Sequence, residues 1–282
     1  MAPLLQAPPR RRATPAALPA DALRRHRDQL YRLLARDWAA PDRREEFDAH
    51  FRGLPDRYWA RVDAAAVRWH LELFRAFYQH LATDGARVLV PVVRWRHFPD
   101  RKLTEVAVCT WDRPGLLARV AQAFALAGIN ILQAQIFCRA DNVMLNLFQV
   151  ADRQFDFVPR ERLLEETVKT LRFLATAAPA VALPELDVTA AGDAWVEFDV
   201  ISSPAYTVLM IETGDRPGLL YGVFRALHGA GLLVVQALAV TEHGVAAGVF
   251  YLTDTAGGKV TDVGQLQSLR ERLGRAMAAP AA

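Results

Sequence analysis

Apolar residues recur at two periods along this chain, and the switches between them mark out its elements. Over residues 21 to about 38, Leu23, Leu30, Leu33 and Leu34 fall at helical spacing, and Pro41 reads as the stop. A second helix is predicted through 64–81, where Val67, Leu71, Phe74, Phe77, Tyr78 and Leu81 form a wide apolar stripe. The segment Leu-Pro-Asp-Arg-Tyr-Trp, residues 54–59, lies between them. β-rich runs follow at 104–110 and 206–213, each passing into an amphipathic helix opened by Pro and Gly and closed at Gly128 or Gly231. Strand pairs are predicted at 129–138 with 142–150 and at 232–241 with 245–253. A helix follows each pair, over 159 to about 175 and over about 263 to 277.

The two halves of that pattern are copies. Thr110-Trp-Asp-Arg-Pro-Gly-Leu-Leu117 recurs as Thr213-Gly-Asp-Arg-Pro-Gly-Leu-Leu220, and the register holds through Val120/Val223, Ala123/Ala226, Ala127-Gly128/Ala230-Gly231 and Gln133-Ala134/Gln236-Ala237. It slips by one at a turn before Phe148/Phe250 and Asp152/Asp254, because the second turn is one residue shorter. Each copy reads strand, helix, strand, strand, helix, an order that needs one more strand beside the first. Extended runs at 88–96 and 195–201 can supply it through a hairpin, and Pro91 fits an edge strand because proline cannot donate to a central ladder.

Charge divides the chain differently. Residues 1–102 hold 20 Arg or Lys against 12 Asp or Glu, whereas 103–282 hold 14 against 19, so the net charge of +3 conceals a basic first third. Such a third can steer an acidic partner or nucleic acid. It can equally be a solvated Arg-rich helix surface, the reading favoured because arginines 24–36 are not interleaved with aromatics that would stack on bases. Residues 1–19, with five prolines and three consecutive arginines, should form a mobile arm. Apolar runs fall short of the roughly 20 residues of a membrane-spanning helix, two cysteines make no disulfide framework, and the N-terminus lacks a secretory core, so a cytoplasmic setting without membrane contact is expected.

The repeated Asp-Arg-Pro-Gly-Leu-Leu turn, followed by Ala-Gly-Ile-Asn-Ile into the next strand, resembles the ACT domain family of small-molecule-sensing regulatory modules. With the Leu-Pro-Asp-Arg-Tyr-Trp and Val-Arg-Trp-His-Leu-Glu-Leu-Phe segments ahead of it, the tandem is similar to the C-terminal part of bifunctional uridylyltransferase/uridylyl-removing enzymes. The resemblance implies an α+β fold of two ferredoxin-like modules, each an antiparallel sheet with helices on one face. Residues 85–180 and 193–280 would form the modules, behind a helical segment at 20–84. It also implies glutamine as the sensed amino acid, a uridylyltransferase or PII-type protein as partner, and a possible homodimer, since an ACT sheet leaves an edge or face to cover. No cofactor is expected. The catalytic signatures of that family are missing: no Gly-Ser precedes a pair of acidic residues, and none of the seven histidines is followed by Asp, so the two-metal sites cannot be written. Neither a phosphate loop nor a nucleophile elbow is present. The chain is therefore expected to be regulatory. It could instead be part of a uridylyltransferase whose catalytic domains lie elsewhere, or a nucleic-acid-binding regulator using its basic segment, with nucleic acid the less expected partner.

The candidate site is the turn from first strand to first helix. Backbone N–H groups there attract a carboxylate, Asp112 or Asp215 can take an ammonium, and Gly115 or Gly218 lets a ligand approach the backbone; an amino acid carries both charges. Alternatively the aspartates only cap their helices, worth about 1 kcal/mol each. By resemblance the ligand residues are Asp112, Arg113, Gly115, Leu116, Asn130 and Ile131 in the first copy and Asp215, Arg216, Gly218 and Leu219 in the second. Leu233 replaces Asn130 in the second copy, so the first site is expected to be the more polar. Cys109 and Cys138 read as buried thiols, His243 as part of a tight turn, and His70 with His80 as helix-surface residues rather than metal ligands.

Overall fold

The computed structural model describes residues 19–83, 88–152, 159–177 and 194–277. The arm expected at 1–19 lies outside them, apart from Pro19. Helix α1 (Ala20–Leu34) buries Leu30 and Leu34 and ends four residues before Trp38. Pro41 does not merely stop it: proline opens a further helix, α2 (Pro41–Gly53), at its first position, where a missing N–H costs nothing. The short α3 (Asp56–Trp59) and the long α4 (Ala64–Thr83) complete the helical segment.

Two units follow in the predicted order. The first has β1 (Val92–Phe98), β2 (Leu103–Trp111), α5 (Leu116–Leu126), β3 (Asn130–Cys138), β4 (Val143–Ala151) and α6 (Glu161–Thr176). The second has β5 (Trp195–Asp199), β6 (Thr207–Gly214), α7 (Leu219–Gly229), β7 (Leu232–Glu242), β8 (Val245–Asp254) and α8 (Val263–Met277). The inferred hairpin strand is present in both, β1 on β2 and β5 on β6, each pair antiparallel and each at an edge of the sheet. A bulge between Ile131 and Gln133 recurs between Val234 and Gln236, so the copies share even an irregularity.

The units are fused rather than merely adjacent. β3 pairs antiparallel with β7 from Gln133↔Val240 to Phe137↔Gln236, giving one eight-stranded sheet in the order β1-β2-β4-β3-β7-β8-β6-β5. Helices α5 to α8 cover one face, with α5 packed on α7 across the seam, and one apolar core runs beneath them through both units. The helical segment covers the other face of the first half. There Ala107, Cys109, Phe137, Val143, Leu145 and Leu147 meet a cluster that includes Phe47, Tyr58, Trp59, Phe74 and Phe77. Strands β2 and β4 are therefore buried on both faces, which is why they read as continuous apolar runs rather than alternating ones. No helix among the described residues is long and apolar enough to cross a membrane.

Candidate functional site

Each strand-to-helix turn is pinned by its own hairpin: the Asp112 N–H donates to Asn142 O and the Asp215 N–H to Gly244 O, both at 2.8 Å. The helices begin later than the Pro-Gly pair suggested. Gly115 and Gly218 are themselves the cap residues, at φ 76° and 83°, left-handed angles that glycine takes without a steric cost. Neither helix has a side-chain cap, so the aspartates three residues earlier are not helix caps. Asp112 instead accepts the Arg113 N–H and lies 3.9 Å from the Cys138 thiol; desolvation raises its pKa, and those two donors only partly oppose the rise. The Cys138 thiol is itself pushed up to about 12, by burial first and then by Asp112 and Asp141.

A pocket opens beside Asp112 at the junction of the two units. Asp112, Gly115 and Leu116 line it from the first, and Leu227, His228 and Leu233 from the second. His228 closes down on the glycine: a Cβ at Gly115 would stand 3.1 Å from its Nε2. Burial, then the Arg119 guanidinium, lowers the pKa of that imidazole. The cavity is small, ≈ 30 Å³, room for about one or two waters. It lies between the Asp112 loop and α7, so a molecule larger than that volume would bear on the packing of one unit on the other. His228 escaped the sequence reading because its copy position holds Ala125, and nothing local marks a residue that acts across a seam.

The remaining candidates fall into distinct places. Arg113 lines the pocket, but its guanidinium donates to Leu89 O at 3.0 Å and Ala175 O at 2.7 Å; Arg216 likewise donates to Ala276 O at 2.8 Å. Both arginines tie their loops to the last turn of α6 or α8. Ile131 and Leu219 are core residues. Asn130 does not join Asp112: its Nδ2 donates to Asp215 Oδ2 at 2.7 Å, across the seam, so the polarity expected of the first site belongs to the second. His70 is not on the surface as expected; it is buried, with Nδ1 2.9 Å from the Tyr58 hydroxyl. No cluster of metal-ligating side chains occurs among the described residues. His243 does sit in a tight turn, at φ 52°. Cys109 is fully buried and Cys138 half-buried.

The family of the first unit follows from a direct comparison. Residues 104–175 match the ACT domain family. This unit is an ACT domain. The second unit repeats its strand order and its Asp-Arg-Pro-Gly-Leu-Leu turn, so the chain carries two units of one build behind a helical segment. Over 256 residues the chain is 30% identical to the bifunctional uridylyltransferase/uridylyl-removing enzyme of Rhodospirillum rubrum, covering 88% of this chain and 26% of that protein. The corresponding enzyme of Azospirillum brasilense is 32% identical over 270 residues (89% and 28%), and that of Ruegeria pomeroyi 25% over 248 residues (86% and 26%). The chain thus spans about a quarter of the length of the curated relatives it matches. Among solved structures, aspartate kinase from Synechocystis aligns with 62% of this chain and 26% of its own at 15% identity and a TM-score of 0.36, a likeness too distant to carry weight.

Proposed function

We propose that this tandem ACT protein is a regulatory unit that senses a small amino acid and conveys the bound state to a uridylyltransferase/uridylyl-removing activity. The observation that carries the reading is the Asp112 carboxylate, desolvated in a pocket between the two units beside the Gly115 backbone, with a weak thiol as its side-chain partner. A desolvated carboxylate next to backbone that a ligand can approach suits a zwitterion: Asp112 takes the ammonium, and the N–H groups that open α5 take the carboxylate. Glutamine is the ligand that the resemblance implies, with a PII-type protein downstream. Regulation follows from the pocket's size. A ligand that requires the seam to open favours whichever arrangement of the units holds it best, and it shifts the equilibrium by its difference in affinity for the two arrangements. The names of the relatives supply the uridylyltransferase connection. A second copy covering an edge of the sheet belongs to the same proposal.

Thermal unfolding against the twenty amino acids tests the reading. A ligand bound only by the folded chain stabilises it by about 2.7 kcal/mol at a hundredfold excess over Kd. The midpoint should rise with glutamine, and the rise should vanish in Asp112→Ala while that variant stays folded. No shift with any amino acid would refute sensing.

A further inference from the structure

The two ACT units are copies, yet their two loop sites differ in the group that faces the aspartate from across the seam. Antiparallel pairing of β3 with β7 sets the Asp112 loop against the start of β7 and the Asp215 loop against the start of β3. At the Asp215 site the opposing residue is Asn130, 1% exposed, whose amide N–H donates to the carboxylate at 2.7 Å. Thr241 adds a hydroxyl, and the Arg216 N–H a backbone donor. At the Asp112 site the residue in the Asn130 position is Leu233, which lines the pocket with hydrocarbon, and the residue in the Thr241 position is Cys138. Among the described residues no side chain of the second unit bonds Asp112.

We propose that the chain binds one amino acid rather than two, with the ligand ammonium on Asp112, and that Asn130 is a built-in occupant closing the Asp215 site. This rests on the amino-acid reading given above and sharpens it. The primary amide of Asn130 presents to Asp215 the kind of N–H donor that an ammonium presents to Asp112. A donor already on the chain loses no translational freedom in binding, so a free ligand competes poorly for Asp215. At the first site an incoming ammonium instead supplies charge-assisted hydrogen bonds to a desolvated carboxylate that, among the described residues, has a thiol and a backbone N–H as donors. The duplication therefore has one sensing pocket and one internally sealed seam contact.

Calorimetric titration of the 282-residue chain with glutamine tests this. One glutamine per chain is expected. Asp112→Asn should weaken binding by about tenfold or more, the size of a hydrogen bond to a charged group, while Asp215→Asn leaves affinity and stoichiometry unchanged. Exchanging the opposing residues gives the sharper result: Leu233→Asn should suppress binding as Asp112→Asn does, and Asn130→Leu should raise the stoichiometry to two. Circular dichroism establishes that each variant is folded, and Asn130→Ala replaces Asn130→Leu if the larger side chain prevents folding. Two glutamines per unmodified chain would overturn the proposal. So would a single site lost with Asp215→Asn and kept with Asp112→Asn, or a folded Asn130 variant that still binds one. A flat titration of the unmodified chain with every amino acid would refute the sensing reading itself, a result distinct from these.

Discussion

Asn146 sits in the middle of β4, fully buried on the face under α5 and α6, and neither its Oδ1 nor its Nδ2 has a partner among the described residues. Its copy position is Gly248, where Phe250 and Ile211 leave no room for a side chain. A buried amide without partners carries its desolvation cost undiminished, about 1–3 kcal/mol. Asn146→Leu, close in volume, should therefore raise the unfolding midpoint; a lower midpoint in a calorimetric scan would mean that a buried water serves the amide. The buried histidines are satisfied on one side only. The Tyr58 hydroxyl bridges His50 Nε2 at 3.1 Å and His70 Nδ1 at 2.9 Å, whereas His50 Nδ1 and His70 Nε2 have no partner among the described residues. Sequence spacing located the loop aspartates because Asp-Arg-Pro-Gly occurs twice. It misplaced His70, since the residues ten apart on one helix say nothing about Tyr58 folding over them.

At the scale of elements, helical periodicity found α4 but left α2 unread, because Phe47 and Phe51 are the only large apolar residues in Pro41–Gly53 and Pro41 looked like an end rather than a beginning. What the helical segment does could not be read locally at all. It covers a sheet face whose apolar residues are interleaved, on the same strands, with those of the main core. Its anchor is Arg139, just past β3, 5% exposed and 4.5 Å over the Phe74 ring. Arg139 Nε donates to Asp141 Oδ1 at 2.8 Å, and the Tyr78 hydroxyl donates to Asp141 Oδ2 at 2.6 Å. Burial works against the Asp141 charge, but those donors hold its pKa down to about 2. Removing residues 1–83 would uncover Phe137, Val143, Leu145 and Leu147 together. The shortened chain should bind an apolar dye and self-associate. A monomeric, dye-silent product in sedimentation would mean that the two ACT units close that face by themselves.

The whole molecule should weaken in mild acid before its carboxylates titrate. Burial first, then the neighbouring His70 and the Arg139 guanidinium, lowers the His50 pKa; burial, then Arg96, lowers His70 to about 3. Both histidines stay neutral in the folded chain while the unfolded chain takes up protons below about pH 6.5, so stability is complete above that pH and falls beneath it. The slope is about 1.4 kcal/mol per pH unit for each histidine, until the folded pKa is reached. His228 adds in the same direction. Asp112 and Asp215, their pKa values raised by burial, oppose the loss only at lower pH, where they gain protons. The unfolding midpoint should drop steadily from pH 7 to 5; a flat profile would mean that the histidines charge in place. The tandem order and both hairpin strands were legible in the sequence because each is written in residues close along the chain. The joining of β3 to β7 was not, because it pairs residues about a hundred positions apart that carry no mark of each other.

That seam has a further consequence. A ladder of backbone hydrogen bonds, backed by α5 on α7, attaches one ACT unit to the other without recourse to the peptide link between them. The chain is in effect a complementation pair carried on a single polypeptide. Separated between residues 177 and 194, each fragment would present β3 or β7 as a naked edge matched to the other. Two intact chains that opened together could exchange halves, reclosing as a swapped dimer with every seam contact preserved.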